Sequence, residues 1–346
     1  MANIIILGAG SMGTAFSIPC SDNNHNTTVI GTHLENEFID EIISSKKHPS
    51  LNCEIPQNVS FKKYESLKKS INDNTDLIVI AVSSKGIEWA SDQISEVLIT
   101  PIPILVLTKG LAINNDDYEV LAHKIERLIK NNGIKKTNIS AAGGPCLAKG
   151  LANRAHTSVI FANKDIQIAK KIGKLVSTNY YHISASDDVV GVEVCAAIKN
   201  IFSMVVGASE GLCLSSKLST IRKKNFLNTA AALMQQSIYE MITFTEKMGG
   251  SKETVIGLAG IGDLYVSADG GRNSKMGQFL GQGMTFKKAK KEKMQNETVE
   301  GADLIMEIGT KVKNDFNPKV LPLMISMINT ISEEKPLIVD WENFKS

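Results

Sequence analysis

Short apolar runs alternate with helix-compatible segments through the first half of the chain. Continuous β-branched and leucine-rich runs are typical of strands buried on both faces. They predict strands at Ile4–Leu7, Thr27–Ile30, Leu77–Val82, Ile102–Leu107 and Asn138–Ala142, and two more near Ser158–Phe161 and Tyr180–Ile183. The segments between them predict helices over Leu34–Ser44, Gly86–Val97 and Tyr118–Ile129. This βαβ alternation predicts a doubly wound parallel α/β sheet with helices on both faces.

The pattern changes at Ser186, where Ser-Asp-Asp resembles a helix N-cap with acids in the first turn. The remainder predicts long helices, one over about Asp188–Ser209 and another over about Asn225–Met248, which the Gly249-Gly250 pair would end. We therefore predict two domains, an α/β domain over 1–186 and a mostly helical domain over 187–346. Since no low-complexity linker separates them, we expect the active site in the cleft between them.

The first predicted strand runs directly into a glycine-rich turn. Gly8, Gly10 and Gly13 have Gly-x-Gly-x-x-Gly spacing, with Ser11 and Met12 between the last two. In a strand–turn–helix context, such glycines permit the tight turn, the approach of a diphosphate and close helix packing. The helix start offers backbone N–H groups and a favourable dipole to the diphosphate. A dinucleotide cofactor is the hypothesis that this context favours over a plain glycine-rich turn.

The residue that contacts the adenosine ribose is expected about 20 residues beyond the glycines, at the end of the second strand. That place holds Gly31, Thr32 and His33, without the acid that is typical of NAD sites. Glu35 comes two residues late, and no arginine is present to pair with a 2′-phosphate. The sequence therefore leaves both NAD and NADP open as the cofactor.

Composition excludes several classes of protein. Of the 346 residues, 43% are hydrophobic and 21% charged, and the formal net charge of +2 gives no reason to expect nucleic acid as a partner. The five cysteines form no Cys-x-x-Cys pair, which favours a reducing compartment and hence the cytoplasm. No apolar run reaches the roughly 20 residues of a membrane span, so none is expected. The six histidines show no metal-ligand spacing, so we predict no metal.

Seven motifs occur in the order that one family shows. They are Gly-Ala-Gly-Ser-Met-Gly-Thr-Ala (8–15), Thr-Lys-Gly-Leu (108–111), Gly-Gly-Pro-Cys-Leu-Ala (143–148), the stretch from Asp187 to Asn200, Gly-Leu-Ala-Gly-Ile-Gly-Asp-Leu (257–264), Gly-Arg-Asn-Ser-Lys-Met-Gly (271–277) and Val-Glu-Gly (299–301). On these motifs the chain resembles the NAD(P)-dependent glycerol-3-phosphate dehydrogenases. The resemblance implies a Rossmann domain followed by a helical domain like that of 6-phosphogluconate dehydrogenase. It also implies hydride transfer between nicotinamide and dihydroxyacetone phosphate or sn-glycerol 3-phosphate.

Carbonyl reduction builds negative charge on the substrate oxygen, which needs a proton and a nearby positive charge. Lys199 is the candidate acid/base, since it lies in an apolar helical context where a lysine is costly unless paired. The resemblance implies that Lys109, at the end of a buried strand, polarises the carbonyl, and Asp263 is expected to bond Lys199 or a substrate hydroxyl. The alternatives are a helix-edge lysine that extends its ammonium into solvent, an ordinary charged strand end and a helix N-cap.

The resemblance also assigns binding residues. Substrate contacts fall on Lys109, Gly144, Cys146, Lys199, Asn200, Asp263, Arg272 and Asn273. Cofactor contacts fall on Gly8, Gly10, Ser11, Met12, Gly13, Thr32, His33, Lys109, Ala148, Arg272 and Glu300. Arg272 offers a planar fork for phosphate oxygens, and Gly270, Gly271 and Gly277 are expected to permit close approach of a ligand.

The chain departs from the family pattern at Lys149-Gly150, His156–Ser158, Met234–Ser237 and Gly271. These departures are expected to affect the substrate-facing side, so a related phosphorylated alcohol or ketone stays open as the substrate. A dinucleotide-binding protein without turnover is the alternative from another class. The family resemblance implies a homodimer with a small phosphorylated substrate, and the tail after Glu333 is expected either to be disordered or to cover a partner subunit.

Overall fold

The computed structural model describes residues 1–51, 53–98, 100–215 and 226–345. The chain divides into two compact units, unit 1 with Met1–Lys109 and Val120–Glu193, and unit 2 with Gly110–Glu119 and Val194–Ser346. The predicted boundary after residue 186 differs from this division for two reasons. The helix over Val189–Ser215 crosses the division after Glu193, and residues 110–119, which hold most of a hairpin, belong to unit 2. The assignment of domains to 1–186 and 187–346 stays a prediction.

The elements are labelled in chain order. The strands are β1 (Asn3–Leu7), β2 (Asn26–Ile30), β3 (Lys47–His48), β4 (Cys53–Glu54), β5 (Val59–Lys62), β6 (Leu77–Ile80), β7 (Pro103–Val106), β8 (Leu111–Asn114), β9 (Asp117–Val120), β10 (Asn138–Gly143), β11 (Thr157–Ala162) and β12 (Tyr181–Ser186). The helices are α1 (Ser11–Asp22), α2 (Asn36–Ser45), α3 (Leu67–Ser70), α4 (Ile87–Ser95), α5 (Leu121–Asn131), α6 (Ala148–Ala152), α7 (Ile166–Val176), α8 (Val189–Ser215), α9 (Leu227–Lys247), α10 (Lys252–Ile256), α11 (Asp263–Ala268), α12 (Arg272–Gly281), α13 (Phe286–Lys293), α14 (Glu300–Asp315) and α15 (Pro322–Ser332).

Unit 1 contains an eight-stranded sheet in the order β12-β11-β10-β7-β6-β1-β2-β5. Its pairings are parallel except for the antiparallel pair β10–β11. Alternate residues of β1 face different cores, with Ile4 and Ile6 in one cluster and Ile5 and Leu7 in the other. The predicted doubly wound parallel sheet is therefore confirmed. The chain order reverses beside β1, between β6 and β2, which is the position where open α/β sheets bind ligands.

All seven predicted strands are present, but the sequence analysis missed one strand and predicted a helix in place of another. The edge strand β5 was not predicted, because Val59-Ser60-Phe61-Lys62 alternates over only four residues. The predicted helix from Tyr118 is wrong in its first residues, since Asp117–Val120 forms β9 of a hairpin with β8. Asn115 and Asp116 have φ of 48° and 62°, the left-handed conformation of a tight hairpin turn.

Unit 2 is mostly helical, as predicted. Helix α8 packs against α12 through glycines, because a Cβ on Gly207 would lie 2.3 Å from the Ser274 carbonyl oxygen. Within the described residues, the segment Val189–Leu214 of α8 has the length and composition of a membrane span, contrary to expectation, but 94% of its most apolar window is buried inside the protein. That burial is typical of the core helix of a soluble protein.

The last residues of the described chain lie against α9. The Gln235 amide donates to the Lys345 carbonyl (3.1 Å), and the Lys345 N–H donates to Gln236 Oε1 (2.9 Å). The tail is thus ordered along its own chain, and the question of a partner subunit stays open. The predicted start of this helix at Asn225 lies outside the described residues, and α9 is described from Leu227.

Candidate active site

The glycine turn of unit 1 has the shape of a phosphate cradle. Gly8 has φ +110°, and a Cβ there would lie 2.8 Å from the backbone of Ala81. A Cβ on Gly13 would lie 2.1 Å from the Gly8 carbonyl oxygen, whereas one on Gly10 would meet nothing within 4 Å. Two glycines are therefore needed for packing, and the third leaves open space beside the backbone. This matches the division of roles expected for a dinucleotide-binding turn.

Helix α1 begins at this turn with Ser11, Met12 and Gly13. Within the described chain no side chain caps its N-terminus, and Gly10 stands at the N-cap position. The first-turn N–H groups of a helix have no intrahelical acceptor, and the dipole there favours an anion. The residues present therefore fit the diphosphate of NAD or NADP.

Other predicted residues of unit 1 lie at the same edge of the sheet. Thr32 and His33 follow β2, Lys109 follows β7, and Gly144 and Cys146 follow β10. Because these strands are parallel to β1, their carboxyl ends share that edge with the glycine turn. The Thr108 hydroxyl donates to the Val82 carbonyl (2.6 Å), which ties the chain before Lys109 to the loop that follows β6. Ala148 begins α6, which packs against α1.

Glu35 was treated as two residues too late to contact the ribose. The structure instead turns its carboxylate back to the end of β2, where Oε2 accepts the Thr32 N–H at 2.7 Å. The sequence Thr-x-x-Glu before a helix is typical of a turn in which the Glu carboxylate accepts the Thr N–H. This pattern could have predicted the position of the Glu35 carboxylate.

In unit 2 the ammonium of Lys199, a residue of α8, is buried and forms hydrogen bonds with two side chains of α11. It donates to the Asp263 carboxylate and, at 2.6 Å, to the Ser267 hydroxyl. Lys199 is 6% exposed and Asp263 is 2% exposed. A π-helical turn over Leu258–Gly262 leads into Asp263, and a Cβ on Gly260 would lie 2.0 Å from the Val255 carbonyl oxygen. The turn before Asp263 is thus packed directly on the backbone of α10.

A second set of polar side chains surrounds Asn273 on α12. The Asn273 amide donates to Asn200 Oδ1 (3.1 Å) and to Glu300 Oε2 (3.3 Å), and its oxygen accepts the Gly301 N–H (2.9 Å). Asn200 follows Lys199 directly on α8. The network brings together the predicted residues Asn200, Asn273 and Glu300.

Arg272 precedes this network and pairs with Glu300 at 2.5 Å between Nη2 and Oε1. Both side chains are about half exposed, at 50% and 48%. The pair occupies one end of the guanidinium fork, and Arg carries five N–H donors in total. The remaining donors suit an anion such as a phosphate group.

Two expectations about neighbouring residues are wrong. Gly277 does not leave room for a ligand, since a Cβ there would lie 1.9 Å from the Met204 carbonyl oxygen of α8. The departures at Gln236 and Ser237 do not face a substrate either. Both side chains are buried on α9, where the Gln236 amide donates to Glu240 (3.1 Å) and the Ser237 hydroxyl donates to Leu233 (2.7 Å).

Two buried carboxyls have perturbed pKa values. Desolvation raises the pKa of Glu193 to about 8, although its carboxylate accepts the Ala122 N–H at 2.9 Å near the start of α5. Desolvation likewise raises the pKa of Glu240 to about 7, against three hydrogen bonds that lower it. Both carboxyls accept N–H groups at helix starts, so they are structural. Among the residues that the structure describes, no group of three or more His, Cys, Asp or Glu is placed to hold a metal.

The chain is similar to known proteins over nearly all of its length. The model of the NAD-dependent glycerol-3-phosphate dehydrogenase N-terminus matches residues 3–169, and that of the C-terminus matches residues 188–339. The NADP(+)-dependent glycerol-3-phosphate dehydrogenase of Archaeoglobus fulgidus is 28% identical over 84% of this chain and 83% of its own. A relative from an Exiguobacterium species, named as a glycerol-3-phosphate dehydrogenase that uses NAD(P)+, is 30% identical over 82% of this chain and 78% of its own.

A solved structure has the same fold. The crystal structure of glycerol-3-phosphate dehydrogenase from Coxiella burnetii superposes with a TM-score of 0.80 at 24% identity, covering 97% of this chain and 96% of that one. With the match of both family models and the 30% identical relative, the chain belongs to the family of NAD-dependent glycerol-3-phosphate dehydrogenases, which are oxidoreductases.

Proposed function

We propose that this protein interconverts dihydroxyacetone phosphate and sn-glycerol 3-phosphate with NAD(H) or NADP(H). The observation that carries the proposal is the buried Lys199 ammonium, which is held by Asp263 and Ser267. A buried ammonium with a carboxylate partner is costly for stability, and such groups are often functional. A protein that only binds a dinucleotide has no need of this arrangement.

Lys199 is proposed to act as the acid in the direction of carbonyl reduction. When bound, the nicotinamide cofactor supplies the hydride. The ammonium of Lys199 stabilises the negative charge that develops on the carbonyl oxygen and gives up a proton to it. In the reverse direction the neutral amine accepts the hydroxyl proton. The Asp263 carboxylate favours the charged form of Lys199 and orients its Nζ.

Binding roles are proposed for the cofactor and for the substrate in turn. The first-turn amides of α1 hold the cofactor diphosphate, and Lys109 at the end of β7 adds a second positive charge for the carbonyl. Arg272 and Asn273 hold the substrate phosphate, while Glu300 orients the Arg272 guanidinium. Gly144, Cys146 and Asn200 complete the substrate contacts, and Ala148 lies with the cofactor.

Two of the residues that differ from the family pattern do not argue against dihydroxyacetone phosphate as the substrate. Gln236 and Ser237 are buried and bonded within α9, so they give no reason to expect a different substrate. The absorbance of NADH and NADPH, followed with a panel of phosphorylated ketones, tests the proposal. We expect dihydroxyacetone phosphate to be reduced with the highest kcat/KM. Preference for another ketone would assign the enzyme to a related substrate, and cofactor binding without consumption would favour a non-catalytic binder.

We also propose a homodimer in the cytoplasm. The family resemblance and the scattered odd number of cysteines support this proposal. Sedimentation equilibrium at enzyme concentrations used for assay would test the oligomeric state, and a monomer would contradict it.

A further inference from the structure

The end of β2 carries a carboxylate that joins two loops of unit 1. Glu35 Oε2 accepts the Thr32 N–H at 2.7 Å and is 3.4 Å from the N–H of Ala9, inside the glycine turn. The second carboxylate oxygen, Oε1, makes no hydrogen bond within the described part of the chain. The carboxylate therefore lies between the strand end and the phosphate cradle, with one oxygen available to a ligand.

Local sequence fixes the carboxylate in this place. The Glu35 N–H donates to the Thr32 carbonyl (3.0 Å), which closes a turn, and the Glu35 carbonyl accepts the Ile39 N–H (2.8 Å) at the start of α2. A Cβ on Gly31 would lie 3.3 Å from the Glu35 Cβ and 2.8 Å from Ile39. The turn brings an acid that is late in sequence back to the position that a strand-end acid would occupy.

We infer that Glu35 makes this protein selective for NAD(H) over NADP(H), because its carboxylate accepts the adenosine ribose hydroxyls and repels a 2′-phosphate. The inference deepens the proposed function and rests on its cofactor site. In dinucleotide-binding folds an acid at this strand end bonds the 2′-hydroxyl, whereas a 2′-phosphate is accommodated by arginine. The A. fulgidus relative is named as NADP(+)-dependent, so the inference separates this chain from that protein.

The surrounding charges favour the same conclusion. The first arginine in the sequence is Arg127, far beyond the cofactor turn. Lys63, which follows β5, pairs with Asp40 at 2.7 Å. Desolvation lowers the pKa of the buried His48 imidazole, which disfavours a cationic imidazole at this place. A 2′-phosphate at this strand end would therefore meet the negative charge of Glu35, and residues 1–126 supply no guanidinium to pair with it.

An aromatic cluster beside this turn suits the adenine ring. The ring centroids of His33 and Trp89 are 5.2 Å apart, and Tyr64 lies 6.3 Å from His33 and 6.2 Å from Trp89. His33 is exposed, and a purine ring can stack on such faces. The cluster and the carboxylate together match the adenosine half of the cofactor.

Binding of ADP-ribose and of 2′-phospho-ADP-ribose, measured by calorimetry, tests the inference without turnover. We expect the wild-type protein to bind ADP-ribose at least about tenfold more tightly, and Glu35→Gln to reduce that ratio by at least about tenfold. Glu37→Gln is the matched control, since it removes a charge two residues away on the exposed side of α2. Glu35→Asp, with thermal unfolding of each variant, separates a lost charge from a damaged fold.

Each result bears on the inference. A wild-type preference for the 2′-phosphorylated compound, or the same ratio in Glu35→Gln as in Glu37→Gln, would overturn it. Absence of binding by both compounds would overturn the inference together with the cofactor site. The expected ratios without reduction of dihydroxyacetone phosphate would contradict the proposed function alone.

Discussion

The Lys199 ammonium pairs with the carboxylate of Asp263, which lies 64 positions further along the chain, and both side chains are buried. Burying two charges costs several kcal/mol per ion in typical proteins, and the Coulomb attraction between the partners only partly offsets that cost. The Ser267 hydroxyl adds a third member at 2.6 Å from Nζ. An apolar pair of similar volume would stabilise unit 2 at least as much as this ion pair does. The presence of the ion pair is therefore best explained by a role of the Lys199 ammonium in the reaction.

Asp263→Asn is expected to lower kcat by about 100-fold, because the amide no longer favours the charged form of Lys199. The pH profile of kcat should shift to lower pH at the same time, since the ammonium then loses its proton more readily. Steady-state assays across pH measure both effects. Asp269→Asn, an exposed acid just after α11, is the control and should leave both unchanged. An unaltered pH profile in Asp263→Asn would contradict the role given to this carboxylate.

Arg272→Ala is expected to raise KM for dihydroxyacetone phosphate by about 10- to 100-fold, the usual loss when a charged group loses its hydrogen bonds. The kcat should change little, because the guanidinium binds the phosphate and not the reacting carbon. Initial-rate kinetics with varied substrate measure the split. Lys275→Ala removes a cation of the same helix that pairs with Glu297, and it should behave as wild type. An unchanged KM in Arg272→Ala would remove this residue from the phosphate site.

Gly277→Ala is expected to destabilise the protein by about 2–3 kcal/mol, as overpacking of a tight interface does. The added Cβ would lie 1.9 Å from the Met204 carbonyl oxygen, so α8 and α12 would have to separate. The midpoint of urea unfolding measures the loss. Gly150→Ala is the control, since its Cβ would meet nothing closer than 3.9 Å. Equal midpoints for the two variants would contradict the glycine contact between these helices.

Thermal stability is expected to fall as pH rises. The pKa of Glu193 is raised from 4.5 to about 8, so the folded state holds a proton that the unfolded state releases. A raised folded pKa gives stability that is complete below the unfolded pKa and lost as pH rises through the folded pKa. The Tm should therefore drop between about pH 5 and about pH 8, by roughly 2 °C or more.

Glu193→Gln tests the source of that drop. The glutamine keeps an oxygen to accept the Ala122 N–H but has no proton to lose, so the Tm should depend less on pH. Calorimetric scans at several pH values provide the comparison. Glu126→Gln is the control, because the pKa of Glu126 is lowered, so this acid stays charged over the same range. The same pH dependence in Glu193→Gln and wild type would contradict the assignment.

The sequence predicted the sheet of unit 1 well because its strands are strong local signals. Leu77–Ile80 and Ile4–Leu7 are buried on both faces, so each residue is apolar and the run is visible without context. The edge strand β5 and the β8–β9 hairpin have short mixed patterns. Strand β5 pairs with β2, and β8 packs against α14, which is distant in sequence. The antiparallel pairing of β10 with β11 also depends on tertiary contacts.

The candidate site was harder to predict, since its geometry depends on turns. The motif residues Lys199, Asp263 and Asn200 were named from the sequence, but their hydrogen bonds required the structure. Glu35 was set aside because of its spacing, which the turn at Thr32 corrects. Gly277 was misassigned because close approach of a ligand and close approach of a helix need the same residue type.

The rate of NADH oxidation by dihydroxyacetone phosphate in Lys199→Ala tests the central claim most directly. We predict a fall in kcat of about 1000-fold or more, with the dissociation constant for NADH unchanged within about threefold. Added methylammonium should restore part of the rate by occupying the space of the lost side chain. Turnover at the wild-type rate in Lys199→Ala, with a correctly folded protein, would contradict the account.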